Sequence, residues 1–184
     1  KYILWDDNMI RDLLQKNQKL LDIYNMENTY YGKADIARYL IIYEYGGIYI
    51  DADCVWINNN NLDNLINMSN GFFICKEPNT DLLANSVFGS KKKHIYLKTI
   101  ISHIKELHSN YITIRMEKPP WRVTGPQLTT DIYKKKWDIT IFPDHYFYPI
   151  SWHGITNSNL HNEMDLPKDS YMFQYGISTN NLIY

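Results

Sequence analysis

The sequence predicts an α/β fold, and three observations carry that prediction. Helical and strand-like apolar patterns alternate along the chain. One helical stretch runs through a Gly-Gly stop straight into a strand that ends on an acid. The apolar share, 45 % of 184 residues, is enough for a core, yet no run reaches the roughly 18 to 20 apolar residues of a membrane span.

The elements follow in order. Residues 2–5 (YILW) are a short apolar run readable as a strand, and Asn8 suits the cap of a helix through Leu14. A second helical stretch covers 19–24. Over 30–45, Ile36, Tyr39, Leu40 and Tyr43 recur at the spacing of one buried helix face. Gly46 and Gly47 stop that helix, and 47–51 (GIYID) read as a strand with Asp51 at its carboxyl end. The polar run 58–61 is a loop, 62–66 a short helix, and 71–75 (GFFIC) and 86–88 are strands. Residues 91–93 form a basic turn, and 94–107 carry helical spacing at Ile95, Ile101, Ile104 and Leu107. Pro119 and Pro120 break the chain, Thr124-Gly125-Pro126 marks a turn, and 127–133 follow as a short helix. Segments 139–142 and 146–150 read as late strands, and the tail from Trp152 is polar and irregular apart from Tyr171-Met172-Phe173. With no repeat and no linker, 1–184 reads as one domain.

Composition narrows the function. Nineteen Lys and Arg against twenty Asp and Glu leave a net charge of −1, so no excess cation exists to release counterions from nucleic acid. Cys54 and Cys75 are the only cysteines, which excludes a disulfide framework and a Cys-based zinc cage. The opening KYILWDDN does not read as a secretion signal. Tyrosine is abundant at 16 residues. Its flat face and polar tip suit sugar or nucleobase surfaces, although an AT-rich codon bias accounts for tyrosine, asparagine, isoleucine and lysine equally well.

The chemistry centres on Asp51-Ala52-Asp53. Ligands of open α/β sheets bind outside the carboxyl ends of strands. Two carboxylates delivered there make a hard-oxygen site for Mn²⁺ or Mg²⁺, with coordination positions left for a diphosphate. A D-x-D triplet also occurs by chance in many proteins. Asp35 and Arg38 lie one helical turn apart and can point to one spot; a surface salt bridge is the plain alternative.

These residues carry a resemblance. Lys33-Ala34-Asp35-Ile36-Ala37-Arg38-Tyr39, the helix through Tyr45, and Gly46-Gly47-Ile48-Tyr49-Ile50-Asp51-Ala52-Asp53 resemble the signature of the D-x-D glycosyltransferases of family 32, related to the catalytic domain of the clostridial glucosylating toxins. Residues 2–7 resemble the second conserved strand of that family. Asn85 followed by His94 resembles its N-x-x-x-(G/S)…H stretch, and Thr124-Gly125-Pro126 its T-G-P turn. The resemblance implies a nucleotide-sugar-binding glycosyltransferase-A fold, with a mostly parallel central sheet flanked by helices. It implies transfer, with retention, of a sugar from a nucleotide diphosphate (a UDP-sugar ahead of a GDP-sugar) to a glycan, protein or lipid hydroxyl, dependent on Mn²⁺ or Mg²⁺.

The implied roles follow residue by residue. Asp53 is the direct metal ligand, and Asp51 meets the ribose or a metal-bound water. Asp35 and Arg38 grip sugar hydroxyls, with Arg38 reaching toward the diphosphate. Trp5, Gly47 and Tyr49 belong to the donor site, with Trp5 stacked on the base. Trp121 and His153 belong to the acceptor side. Two departures stand out. The family's first nucleotide-binding strand is expected upstream of residue 1, and the usual His-rich, Trp-containing terminal stretch is replaced by 173–180, where Ser178 or Asn180 would supply oxygen ligands.

His94, His103 and His108 lack the four-residue spacing of a helical metal pair and read as solvated. Three rival functions remain at this stage. Asp51-Ala52-Asp53-Cys54-Val55 also fits the nucleophile motif of haloacid dehalogenase phosphatases, but the late acidic pair they need is missing. A catalytically inactive sugar-binding domain is the non-enzymatic alternative. A metal-dependent glycosidase lacks its second carboxylate. A bacterial or viral origin implies a cytoplasmic location, and a eukaryotic origin the Golgi lumen behind an anchor outside this chain.

Overall fold

A computed structural model of the chain describes residues 2–57, 62–134, 137–150 and 166–176. The architecture is mixed α/β, as the sequence predicts. In chain order the elements are α1 (Asp7–Leu14), α2 (Gln18–Met26), α3 (Tyr30–Tyr45), β1 (Gly47–Ile50), β2 (Cys54–Trp56), α4 (Leu62–Asn67), β3 (Phe72–Lys76), β4 (Leu83–Ser90), α5 (Ile95–Glu106), α6 (Tyr111–Glu117), α7 (Pro120–Val123), α8 (Pro126–Tyr133), β5 (Thr140–Phe142) and β6 (Met172–Gln174). They fall into two compact units: Lys1–Gly47 with Ser90–Trp137, which is helical, and Ile48–Gly89 with Asp138–Tyr184, which holds the sheets. Among the described residues, no helix is long and apolar enough to cross a membrane.

The helical unit is built around α3. Every residue of α3 from Asp35 to Ile42 is buried, more than the single face that the spacing predicts, which puts this stretch inside the core with its two charged residues, Asp35 and Arg38, paired to each other. Thr29 caps it, accepting from the Gly32 N–H at 3.2 Å. Below the cap lies Glu27, 1 % exposed. Its carboxylate accepts from Thr29 N–H (2.8 Å) and Oγ1 (2.6 Å), from the Tyr111 hydroxyl (2.6 Å), and from Arg115 Nε (2.6 Å) and Nη2 (3.2 Å). Burial pushes this carboxyl upward, and the bonds from Arg115, Thr29 and Tyr111 outweigh it and hold it at about 2. That anchor explains α6, which the pattern does not predict. Its sequence YITIRME is rich in β-branched residues, but Tyr111 and Arg115 stand one turn apart and both dock on Glu27.

In the other unit, four strands run in the order β1-β4-β3-β5. β3 and β5 are parallel, with Phe73 opposite Thr140, Ile74 opposite Ile141 and Cys75 opposite Phe142. β3 and β4 are neighbours joined by a turn closed by Glu77 N–H to Leu82 C=O at 2.9 Å, a connection too short for anything but an antiparallel pair. β2 and β6 form a separate antiparallel ribbon, with Cys54 opposite Gln174. Phe73, Cys75, Val87, Phe142, Phe147 and Met172 are among the buried core of this unit.

Some expectations fail locally. Residues 2–5 form no strand: Tyr2 and Leu4 are 85 % and 71 % exposed, and no ladder partner lies beside them among the described residues. An apolar run of four specifies a strand only where a neighbour supplies hydrogen bonds. Asp6, not Asn8, caps α1, its Oδ1 accepting from Met9 N–H at 2.8 Å. Residues 146–150 are not a strand either. A 3₁₀ turn, Asp144–Tyr146, sends Phe147 and Tyr148 into the core, and Pro149 has no N–H for a ladder.

Candidate active site

The stop after α3 depends on glycine. Gly46 has φ 70° and Gly47 φ 97°, a left-handed region that L side chains rarely adopt. A Cβ on Gly46 would stand 3.0 Å from Lys92 N and 3.2 Å from Ser90 O, whereas one on Gly47 would meet nothing within 4 Å. The chain thus turns tightly at Gly46 and leaves open space beside Gly47 at the entrance to β1.

β1 ends at Ile50, and the next residue, Asp51, donates its N–H to Ser86 C=O at 2.9 Å. A turn closed by Cys54 N–H to Asp51 C=O (3.1 Å) then leads into β2. Asp51 and Asp53 are both half-buried, so their carboxylates are reachable from solvent. Tyr49, stacked on Phe88 with 5.7 Å between centroids, donates its hydroxyl to Asp51 Oδ1 at 2.7 Å. Gln174 Nε2 donates to Asp53 Oδ1 at 3.0 Å and toward Asp51 Oδ2 at 3.4 Å. A single NH₂ group therefore lies between the two carboxylates. Tyr175 N–H to Asp53 C=O (3.0 Å) fastens the same strand end to the turn. Sequence reasoning missed Gln174; its one signal was its place in the segment expected to approach the metal.

This donor set fits a hard cation. Among the described residues, no group of three or more His, Cys, Asp and Glu is placed to hold a metal. Among the described residues, an ion at this turn would have Asp53, and Asp51 directly or through a bound water, with further oxygens from a phosphate ligand or solvent, the usual arrangement where a metal meets phosphates. Ser178, Asn180 and His153 lie outside the described residues.

Asp35 and Arg38 are not a surface pair. They are 6 % and 4 % exposed, with Arg38 Nη2 3.3 Å from Asp35 Oδ1 and Arg38 Nε donating to Ala34 C=O at 3.2 Å. The T-G-P turn packs on this pair. Thr124 Oγ1 donates to Asp35 Oδ2 at 3.2 Å, and Tyr39 donates its hydroxyl to Thr124 C=O at 2.8 Å. A Cβ on Gly125 would stand 2.7 Å from Trp121 Cα and 3.0 Å from Asp35 Oδ2. Two motifs 89 residues apart are thus one constellation, a meeting the motifs alone do not reveal.

The remaining sequence candidates find varied places. Trp5 is half-buried, its ring 5.4 Å from that of Tyr45. Trp121 is 41 % exposed, with the Arg122 guanidinium 4.7 Å over its ring. His94 is buried, not solvated, because it caps α5, accepting from Tyr96 N–H at 3.3 Å. His108 bonds Asp22 at 3.0 Å, and His103 is exposed. Asn85 is buried on β4.

Residues 1–72 match the family described as glycosyltransferase sugar-binding region containing DXD motif. The chain is 29 % identical over 112 residues to inositol phosphoceramide mannosyltransferase 3 of Schizosaccharomyces pombe, covering 60 % of this chain and 30 % of that one. It is 31 % identical over 148 residues to mannosyl phosphorylinositol ceramide synthase CSH1 of Saccharomyces cerevisiae, covering 76 % and 36 %. It spans about a third of the length of the curated relatives it matches. Its fold resembles the PaToxG glycosyltransferase, with a TM-score of 0.52 and 21 % identity over 68 % of this chain and 44 % of the other. These findings bear out the resemblance carried by the motifs.

Proposed function

We propose that this chain is the donor-handling part of a retaining glycosyltransferase, which moves a sugar from a nucleotide diphosphate, a UDP-sugar ahead of a GDP-sugar, to a hydroxyl acceptor. The observation that carries the reading is the accessible Asp51–Asp53 pair bridged by one amide at the carboxyl end of β1. Mn²⁺ or Mg²⁺ held there would neutralise the charge that builds on the departing diphosphate. Asp53 is the direct ligand in this proposal. Asp51, oriented by Tyr49 and Gln174, holds the ribose or a metal-bound water.

Asp35 and Arg38 bind donor-sugar hydroxyls. Their burial and the Thr124 contact fix their rotamers, as a positioning role requires. No side chain of the motifs is an obvious covalent nucleophile, so the leaving oxygen assists deprotonation of the acceptor on the same face. The two relatives named above carry phosphoinositol ceramides in their names, which favours a lipid headgroup hydroxyl over a glycan or protein as acceptor.

A screen of nucleotide sugars for hydrolysis, with and without Mn²⁺, tests the reading. One donor should turn over only with metal, and Asp53→Asn should abolish turnover without lowering the melting temperature. Absence of metal-dependent turnover with every donor would leave the inactive sugar-binding alternative standing.

A further inference from the structure

The helical unit carries a second concavity, of about 220 Å³, formed by α5, α6, α7 and α8. Its floor is apolar, with Val123, Leu128 and Ile132 buried beneath it. Its rim is charged and exposed, with Lys118, Arg122, His103 and Asp131 around the mouth. The rim charges are not equivalent. Asp131 is already engaged by its own helix, accepting from Lys134 Nζ at 3.1 Å and Gln127 Nε2 at 3.0 Å. Neither Lys118 nor Arg122 has an ion-pair partner among the described residues. The mouth therefore presents two uncompensated cations over an apolar floor.

Both cations stand on stiff backbone. Arg115, locked to Glu27, also donates to the Lys118 carbonyl. Pro119 and Pro120 follow at once and fix the entry to α7, which carries Arg122. The stack of Arg122 on Trp121 restrains the guanidinium further. Cations held this way lose little freedom on meeting an anion, and a guanidinium and an ammonium lining one concavity supply the donors that phosphate oxygens accept. The volume falls below the roughly 300 Å³ at which pockets enclose a drug-sized ligand, so only a compact group can enter.

We infer that this concavity is a phosphate-ester site, taking one phosphate between Lys118 and Arg122 with the first carbons of its substituent on the Val123–Leu128–Ile132 floor. The ester belongs either to a soluble metabolite or to a lipid headgroup. The inference does not depend on the proposed transferase activity.

The test uses the full 184-residue chain with two probes, glycerol 3-phosphate and phosphatidylcholine vesicles containing about 20 % phosphatidylinositol. Methyl NMR signals of Val123, Leu128 and Ile132 should shift saturably with at least one probe. The double variant Lys118→Gln/Arg122→Gln should bind at least tenfold more weakly, while single-site Lys134→Gln should not. Response to glycerol 3-phosphate identifies a soluble source, and response to vesicles alone a headgroup. No shift of these methyls with either probe, or undiminished affinity in the double variant, overturns the assignment. The wild-type methyl titration decides the matter even where the double variant is poorly folded.

Discussion

Glu27 and the Asp51–Asp53 pair are both acidic sites held by side chains distant in sequence, yet they are built in opposite ways. Glu27 is 1 % exposed and surrounded by donors, including a two-nitrogen contact from Arg115. Asp51 and Asp53 are half-exposed, and their donors include a phenol and one shared amide. A carboxylate saturated by a cation out of reach of solvent is architecture: it joins the start of α3 to α6. A pair joined by a neutral amide, with water at hand, retains the capacity to take a cation. The difference is one of access: Glu27 is closed to any ligand by its burial and its donors, whereas Asp51 and Asp53 remain open to solvent.

The comparison can be broken first at Glu27. Glu27→Ala leaves the Arg115 guanidinium and Tyr111 hydroxyl without their acceptor and should cost ~3–5 kcal/mol in urea denaturation. Asp53→Asn should cost less than about 1 kcal/mol. Equal losses would erase the distinction drawn here.

The second effect is a pH dependence. The Glu27 carboxyl is held at about 2 against an ordinary 4.5. A folded value below the unfolded one adds stability that is fully present above pH 4.5 and lost as pH falls toward 2. The loss amounts to about 3 kcal/mol across that window. Chemical denaturation at several pH values should show this slope in the wild type and a flatter one in Glu27→Gln.

Next comes the T-G-P turn. Gly125→Ala forces a Cβ toward Trp121 Cα and Asp35 Oδ2 and should destabilise the helical unit by ~1–3 kcal/mol, whereas Thr124→Val, which removes only the hydroxyl, should cost about 1 kcal/mol. The smallest stability effect belongs to Gln174. Gln174→Ala should cost under about 1 kcal/mol, yet metal titration should reveal altered Mn²⁺ affinity, because the amide orients both carboxylates. Unaltered Mn²⁺ affinity would separate β6 from the site.

Much of this was legible in the sequence wherever a local rule carries the information. The helix over 30–45, its glycine stop and the acid at the end of the following strand depend on short-range periodicity and backbone conformation, and the structure has them at those positions. The Asp35–Arg38 pair and the Asp51–Asp53 pair were equally visible as pairs, because each spacing is fixed within a helix or a turn. What escaped depends on distant partners. α6 forms against its own β-branched composition because Glu27 anchors it. Residues 2–5 look like a strand but have no ladder beside them among the described residues. His94 reads as solvated until its capping role appears, and Gln174 reaches Asp51 from 123 residues away. No periodicity encodes such pairings.

The account rests most directly on Asp51 and Asp53 as a cation site. Titration of the chain with Mn²⁺ in the presence of UDP, followed by the loss of the free-ion electron paramagnetic resonance signal, addresses it without requiring turnover. The account predicts saturable binding in the wild type, weakened at least a hundredfold by Asp53→Asn at an unchanged melting temperature. Equal Mn²⁺ affinity in the two proteins would contradict it.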